Sequence, residues 1–267
     1  MPDVYQERPL STDGVVGLTW HRETDTPGVT RVVPDAGVDV IWDGRSLLVA
    51  GPDTRPHPTP NLPGTLIGAR FVPGTSGVAL GVAPHSLADL RVPLDDLWPP
   101  ARVRELADRL ADTADPVQAQ DVLADAVVAQ VGDPPDEIAA PLRHLARRTG
   151  RVRDLAETIG LSERQLHRRC VAAFGYGPKT LHRIVRFDRA LRAARAGEPF
   201  ADVAYRAGYA DQAHLSREVR ALAGVPLGAL VQEPVRPPPW PYPAGDYRAE
   251  DQEVESNSHY GLARQSV

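Results

Sequence analysis

An internal repeat in the second half of this 267-residue chain constrains its fold more than any other feature. Val152-Arg153-Asp154-Leu155-Ala156 aligns with Phe200-Ala201-Asp202-Val203-Ala204 at a shift of 48 residues, and a glycine stands four places beyond each alanine, Gly160 and Gly208. Each glycine is followed by an apolar residue, Leu161 or Tyr209. One extra residue, Ala210, then lengthens the second copy before a capping residue, Ser162 or Asp211. A second helix follows in each copy, anchored by Leu166 or Leu215, and an arginine stands two places after each anchor, Arg168 and Arg217.

Every part of the repeat has a physical reason. Asp154 and Asp202 are placed to accept from unpaired backbone N–H groups at a helix start. The small alanine lets two helices cross closely. Glycine adopts the left-handed conformation that ends one helix and turns the chain sharply. Ser162 with Gln165 three residues on spells a capping box for the next helix. Ile159 and Ala207, just before the glycines, fill a small core. These are the parts of a helix-turn-helix, whose second helix fits the major groove of DNA.

Between the copies, PKTLHRIVRFDRALRAARAG reads as one continuous linker helix. A core-facing stripe of Leu181, Ile184, Val185, Asp188 and Leu191 alternates there with Arg183, Arg186, Arg189, Arg192 and Arg195. A rigid spacer of this kind can hold two recognition helices about one DNA turn, ~34 Å, apart. A generic helical bundle is the competing reading. Two units in register, both within the only basic stretch, argue against it.

The net charge of −5 conceals that stretch: residues 1–140 hold 10 Arg against 21 Asp/Glu, whereas residues 141–233 hold 17 Arg/Lys against 9. A basic segment joined to an acidic one is the footprint of a polyanion-binding module on an acidic partner domain. A solvated arginine-rich helical face explains the charge alone equally well.

The first half reads differently. VVGLTWH, TRVVP, VDVIW, SLLVAG, TLIGARFV and GVALGV are short, β-branched segments separated by turn material such as DTPG, PDAG, WDGR and the proline-rich GPDTRPHPTPNLPG. They predict a small β-barrel or sandwich. ARVRELADRLADT and PVQAQDVLADAVVAQV then place apolar residues at helical spacing, which predicts a helical hairpin offering a face to a second copy. The expected class is α+β. A β-rich domain covers residues 1–131, a linker 132–137, an all-α domain of two helix-turn-helix units 138–233, and a proline-rich, polar, disordered tail 234–267.

The helical half resembles the AraC/XylS family of bacterial transcription regulators. LAETIGLSERQLHRRCVAAFGYGPKTL is similar to that family's first unit and GYADQAHLSREVRALAGVP to its second. In the first half, RVVPDAGVDVIWDGRSLLVAGPDT and TLIGARFVPG resemble the β-rich sensory domain of an actinobacterial branch. The resemblance implies base contacts by Arg164, His167 and Arg168 in the first recognition helix, and by Gln212, Ala213, Ser216 and Arg217 in the second. Arginine can bond guanine O6 and N7 bidentately, glutamine suits adenine, and Ala213 can only touch a thymine methyl. Arg169, Lys179, Thr180 and Arg183 are then phosphate contacts that set register. Cys170, where the family has a large apolar residue, reads as a core-filling thiol. The resemblance also implies an effector-binding or dimerising role for residues 1–131. Trp20, Arg22, Asp39, Trp42 and Arg70 on expected strands are candidates to line its interior; core filling by the tryptophans is the competing reading.

Double-stranded DNA is therefore the expected partner, with a small-molecule effector, and RNA polymerase if the protein activates. Homodimerisation stays open. The N-terminus has no apolar core of a signal peptide and no apolar run approaches a membrane span, so the expected location is the cytoplasm. The single cysteine excludes an intrachain disulfide and a multi-cysteine zinc site. His21, His57 and His85 stand far apart in the first half without an H-x-H pair, and no nucleophile elbow, phosphate loop or HExxH occurs. No cofactor or metal is expected, and the chain does not read as an enzyme. The alternatives carried forward are a β-barrel enzyme with a helical DNA-binding domain, and an effector-free architectural DNA binder.

Overall fold

The first half of the chain contains eight short strands: β1 Val4–Pro9, β2 Val16–Thr24, β3 Gly28–Val32, β4 Asp39–Trp42, β5 Leu47–Ala50, β6 His57–Asn61, β7 Gly64–Phe71 and β8 Arg91–Pro93. The structure is a computed structural model, and it describes residues 4–10, 14–61, 63–132, 156–157 and 159–233. Six strands form one antiparallel sheet in the order β1-β2-β7-β4-β5-β8, and β3 with β6 makes a separate two-stranded ribbon. The sheet is open. Among the described residues β1 and β8 are its edges, so the barrel closure expected from the strand spacing is not formed.

Two other expectations need correction. GVALGV is not a strand: Ser76–Leu80 is helix α1, ended by Gly81 at φ +71. A short apolar run does not distinguish strand from helix. Tertiary context decides here, because the Thr75 hydroxyl at the helix start donates to the backbone oxygens of Val15 and Val72. The proline-rich segment taken as turn material contains β6. Its Pro58 and Pro60 are two residues apart, so both missing N–H groups fall on the side away from β3, where no ladder bond is lost.

The hairpin is present as α2 Pro100–Ala111 and α3 Pro116–Val128. Asp115 caps α3 by accepting from the Val117 amide at 3.0 Å, and Pro116 occupies the first turn, where an N–H has no helical partner. Val103, Leu106 and Leu110 of α2 and Ala119, Leu123 and Val127 of α3 join Val40, Trp42, Val49, Ile67, Ala69 and Phe71 of the sheet in one core. A buried polar group on α3 is accounted for: the Gln120 amide lies 3.0 Å from His21 Nδ1 and accepts from the Thr19 hydroxyl at 3.3 Å.

The second half is helical: α4 Glu163–Phe174, α5 Pro178–Arg195, α6 Phe200–Arg206, α7 Gln212–Ala223 and α8 Leu227–Gln232. Leu166, Cys170, Phe174, Ile184, Phe187, Leu215, Val219 and Leu222 lie in its core. Burial pushes the Cys170 thiol up to about 12, so the group is a packed, unreactive thiol. The loop before β4 enters this core too. Ala36, at φ +62, is buried among the helical side chains and Val33 packs beside it. Most of the expected first helix of the first unit (151–155), the 133–137 part of the linker and the tail 234–267 lie outside the described residues.

Candidate nucleic-acid interface

The repeat read from the sequence recurs bond for bond in the backbone. The Leu161 amide donates to the Ala156 carbonyl at 2.9 Å, and the Tyr209 amide donates to Ala204 at 2.8 Å. Inside each of these, Gly160 donates to Glu157 at 3.2 Å and Gly208 to Tyr205 at 3.0 Å. Both glycines are left-handed, at φ +69 and +77. Each first helix thus ends in a Schellman turn, a shape that costs an L side chain on the order of 1–2 kcal/mol.

The second helix of each unit opens on a cap. Ser162 and Gln165 form the reciprocal capping box, with Ser162 N–H on Gln165 Oε1 at 2.9 Å and Gln165 N–H on Ser162 Oγ at 3.3 Å. Asp211 caps α7 by accepting from the His214 amide at 2.6 Å. Asp202 does not cap α6. Its helix starts two residues earlier, at Phe200, and Pro199 holds the cap position without a side-chain acceptor. The Asp202 carboxylate sits in the first turn instead, near the positive end of the helix. Asp154 lies outside the described residues.

Leu166 and Leu215 pin the two second helices into the core, and 3.6-residue periodicity then turns the intervening positions outward. Arg164, His167 and Arg168 on α4 are exposed, as are Gln212, Ala213, Ser216 and Arg217 on α7. The His167 ring rests over Gly177, where an added Cβ would come within 2.7 Å of Nε2. Of the residues expected on phosphates, Lys179 is exposed, while Arg169, Thr180 and Arg183 are half-buried.

A brace between the linker helix and the second unit was not legible beforehand. Arg186 on α5 makes two bonds to Glu218 on α7, at 2.7 and 2.9 Å, and its guanidinium lies 4.3 Å from the Tyr209 ring centre. The Tyr209 hydroxyl donates to Glu218 at 3.2 Å, and Arg183 Nε is 3.5 Å from the same carboxylate. Burial, then the Glu218 charge, push the Tyr209 hydroxyl well above the ordinary phenol range. The brace fixes α7 on α5, which at 18 residues is about 27 Å long at 1.5 Å per residue.

In the first domain the structure brings four of the five effector candidates together. Trp20 Nε1 donates to Asp39 Oδ1 at 3.0 Å, and Arg70 grips Asp39 through Nε at 2.8 Å and Nη2 at 2.9 Å. Arg22 donates to the Thr30 hydroxyl at 2.7 Å, and Tyr5 stacks on Trp20 with ring centres 5.8 Å apart. Gly68 makes the arrangement possible, since a Cβ there would fall 2.0 Å from the Trp20 ring. These side chains line a cavity of about 1200 Å³. Trp42 does not line it and packs in the core on the other sheet face. Sequence reasoning missed the far wall, which comes from Phe187, Asp188 and Leu191 of the linker helix.

Two matched helix-turn-helix units on one linker helix, with arginines on the outward faces of the second helices, define a DNA-binding transcription regulator. A helix-turn-helix domain family matches residues 155–233, and a domain family of unknown function matches residues 12–93. The chain carries the DNA-binding domain of the AraC/XylS family. No curated protein matches significantly. Solved structures of ToxT from Vibrio cholerae are similar in outline. An apo variant is 11% identical at TM-score 0.40, over 86% of this chain and 97% of that one. An unsaturated-fatty-acid-bound wild type is also 11% identical at TM-score 0.40, over 77% and 94%. The likeness is too loose to transfer roles. Among the described residues no helix is long and apolar enough to cross a membrane.

Proposed function

We propose that the regulator reads base sequence with both units and responds to a small molecule taken up by its first domain. Arg164, His167 and Arg168, then Gln212, Ala213, Ser216 and Arg217, are the base-reading set, and Arg169, Lys179, Thr180 and Arg183 hold phosphates. Residues 1–131 form the sensory domain, of the kind found in an actinobacterial branch of the family, and 138–233 the DNA-binding domain. Trp20, Arg22, Asp39 and Arg70 belong to the effector site. Supporting this most is a single observation: Arg168 and Arg217 occupy equivalent, exposed positions two residues beyond equivalent buried leucines. A bundle under no such demand has no reason to repeat an outward arginine in step with its core.

The test is selection of bound duplexes from a random pool by the full chain, followed by affinity measurements on a selected and a random duplex at matched salt. A specific regulator prefers its site by about a thousandfold or more. A ratio near one assigns the chain to the architectural binders instead.

A further inference from the structure

The brace between the linker helix and the second unit converges on a single carboxylate. Glu218 on α7 takes two bonds from Arg186, at 2.7 and 2.9 Å, and lies 3.5 Å from Arg183 Nε. The two arginines are three apart on α5 and so neighbour each other on one face of that helix. Both keep a solvent edge, their side chains being 18% exposed for Arg186 and 39% for Arg183, whereas Glu218 is 11% exposed. On α7, Glu218 follows the exposed Arg217 and precedes the buried Val219. It therefore lies on the flank of the second recognition helix, against α5, and not on its outward face.

Two properties of a duplex give this placement a consequence. Phosphates attract a guanidinium within reach whatever the sequence, so such a contact adds as much to random DNA as to a cognate site. Base edges are read well only by side chains on a helix held close to one geometry. Glu218 acts on both. Its charge occupies Arg186 and draws on Arg183, through charge-assisted bonds about twice as strong as neutral ones. The same bonds, with the Arg186 guanidinium 4.3 Å from the Tyr209 ring centre, hold α7 on α5.

We propose that Glu218 determines specificity without touching a base: it restrains Arg183 and Arg186 from phosphates on random DNA and keeps α7 at its reading angle. The inference rests on the DNA-reading assignment above, in which Arg183 takes a phosphate, and adds that doing so costs its pair with Glu218.

The test is Glu218→Gln in the full chain, whose amide keeps the side-chain shape and an oxygen for the Tyr209 hydroxyl. Glu218→Met, which packs on α5 without charge, is the second variant. Affinity for a selected and a random duplex is measured across a salt series, on chains that circular dichroism shows to be folded. Each variant is expected to bind random duplex about threefold more tightly, with a logarithmic salt slope steeper by about 0.9 for each arginine that gains a phosphate. Preference for the selected site is expected to fall about tenfold, the scale of one lost base contact. Adding Arg186→Met to Glu218→Gln should bring the slope back by about 0.9. Asp202→Asn, which removes an exposed acid of the same unit outside the brace, should change slope and preference less. Equal weakening on both duplexes would make Glu218 a structural prop and overturns the proposal, as does an unchanged slope or an Asp202→Asn effect of the same size. A wild-type chain without preference overturns the DNA-reading assignment and this proposal with it, whereas a preference that survives both Glu218 variants overturns this proposal alone.

Discussion

Arg168 and Arg217 are each exposed on a helix whose neighbouring leucine is buried, and this geometry gives their substitution a definite signature. Arg168→Ala and Arg217→Ala are each expected to cost ~1–3 kcal/mol on the cognate site and to relax base preference at one position only. Binding to a panel of single-base site variants reads both effects; an equal loss on every duplex would make the arginine a phosphate contact. Asp188 makes a different prediction. Burial pushes its carboxyl up to about 6, against the lowering effect of Arg192. With the folded value above the unfolded one, the folded state holds its proton more tightly. This group's contribution to stability is therefore fully present below about pH 4 and is lost as pH rises through about 6. Asp188→Asn is expected to flatten the stability profile over that window in urea unfolding; an unchanged slope would place the cause elsewhere. The residue scale also shows where sequence reading slipped on its own terms. Asp39 and Trp42 are three apart on one strand, so side-chain alternation sends them to opposite faces. Both could not have lined one cavity, and only Asp39 does.

At the level of elements, what could be read was whatever local chemistry determines. Gly160, Ser162 and Gln165 act on each other within a single turn of chain, and the capping box formed as spelled. Ser162→Ala is expected to cost about 1 kcal/mol. Gly160→Ala should cost on the order of 1–2 kcal/mol through backbone strain alone, because nothing among the described residues lies within 4 Å of the added Cβ. Both losses should appear in denaturant unfolding with no change in the m-value. A larger loss for Gly160→Ala would point to a neighbour the backbone geometry does not reveal. Elements fixed by distant partners were the ones that escaped. α1 became a helix where apolar character allowed a strand, β6 paired with β3 despite two prolines, and the edge strands β1 and β8 gave little signal within so few residues. The Arg186–Glu218–Tyr209 brace joins three elements, so no window of sequence displays it.

At the scale of the whole molecule the two halves are acidic and basic, and they touch. Gly175, at the end of the first recognition helix, abuts the first domain so closely that a Cβ would come 2.8 Å from Pro52 and 3.1 Å from the Pro84 backbone. Arg31 reaches across to Glu233. The acidic half, with 21 Asp/Glu against 10 Arg over residues 1–140, therefore lies against the basic helical half, whose second helices we propose as the DNA-reading face. Its field opposes approach of a polyanion at long range but adds no contact of its own. A fragment spanning 132–235 is accordingly expected to bind DNA, and to bind random duplex more tightly than the full chain at low salt. The gap should close as ionic strength rises toward ~0.15 M and beyond, where the Debye length falls to ~8 Å and distant charges are screened. The fragment and the full chain should nevertheless lose affinity with salt because both release counterions from the same phosphates. Filter binding across a salt series separates the two effects. A fragment no tighter than the full chain at low salt would mean that the acidic half is held out of the field of the duplex.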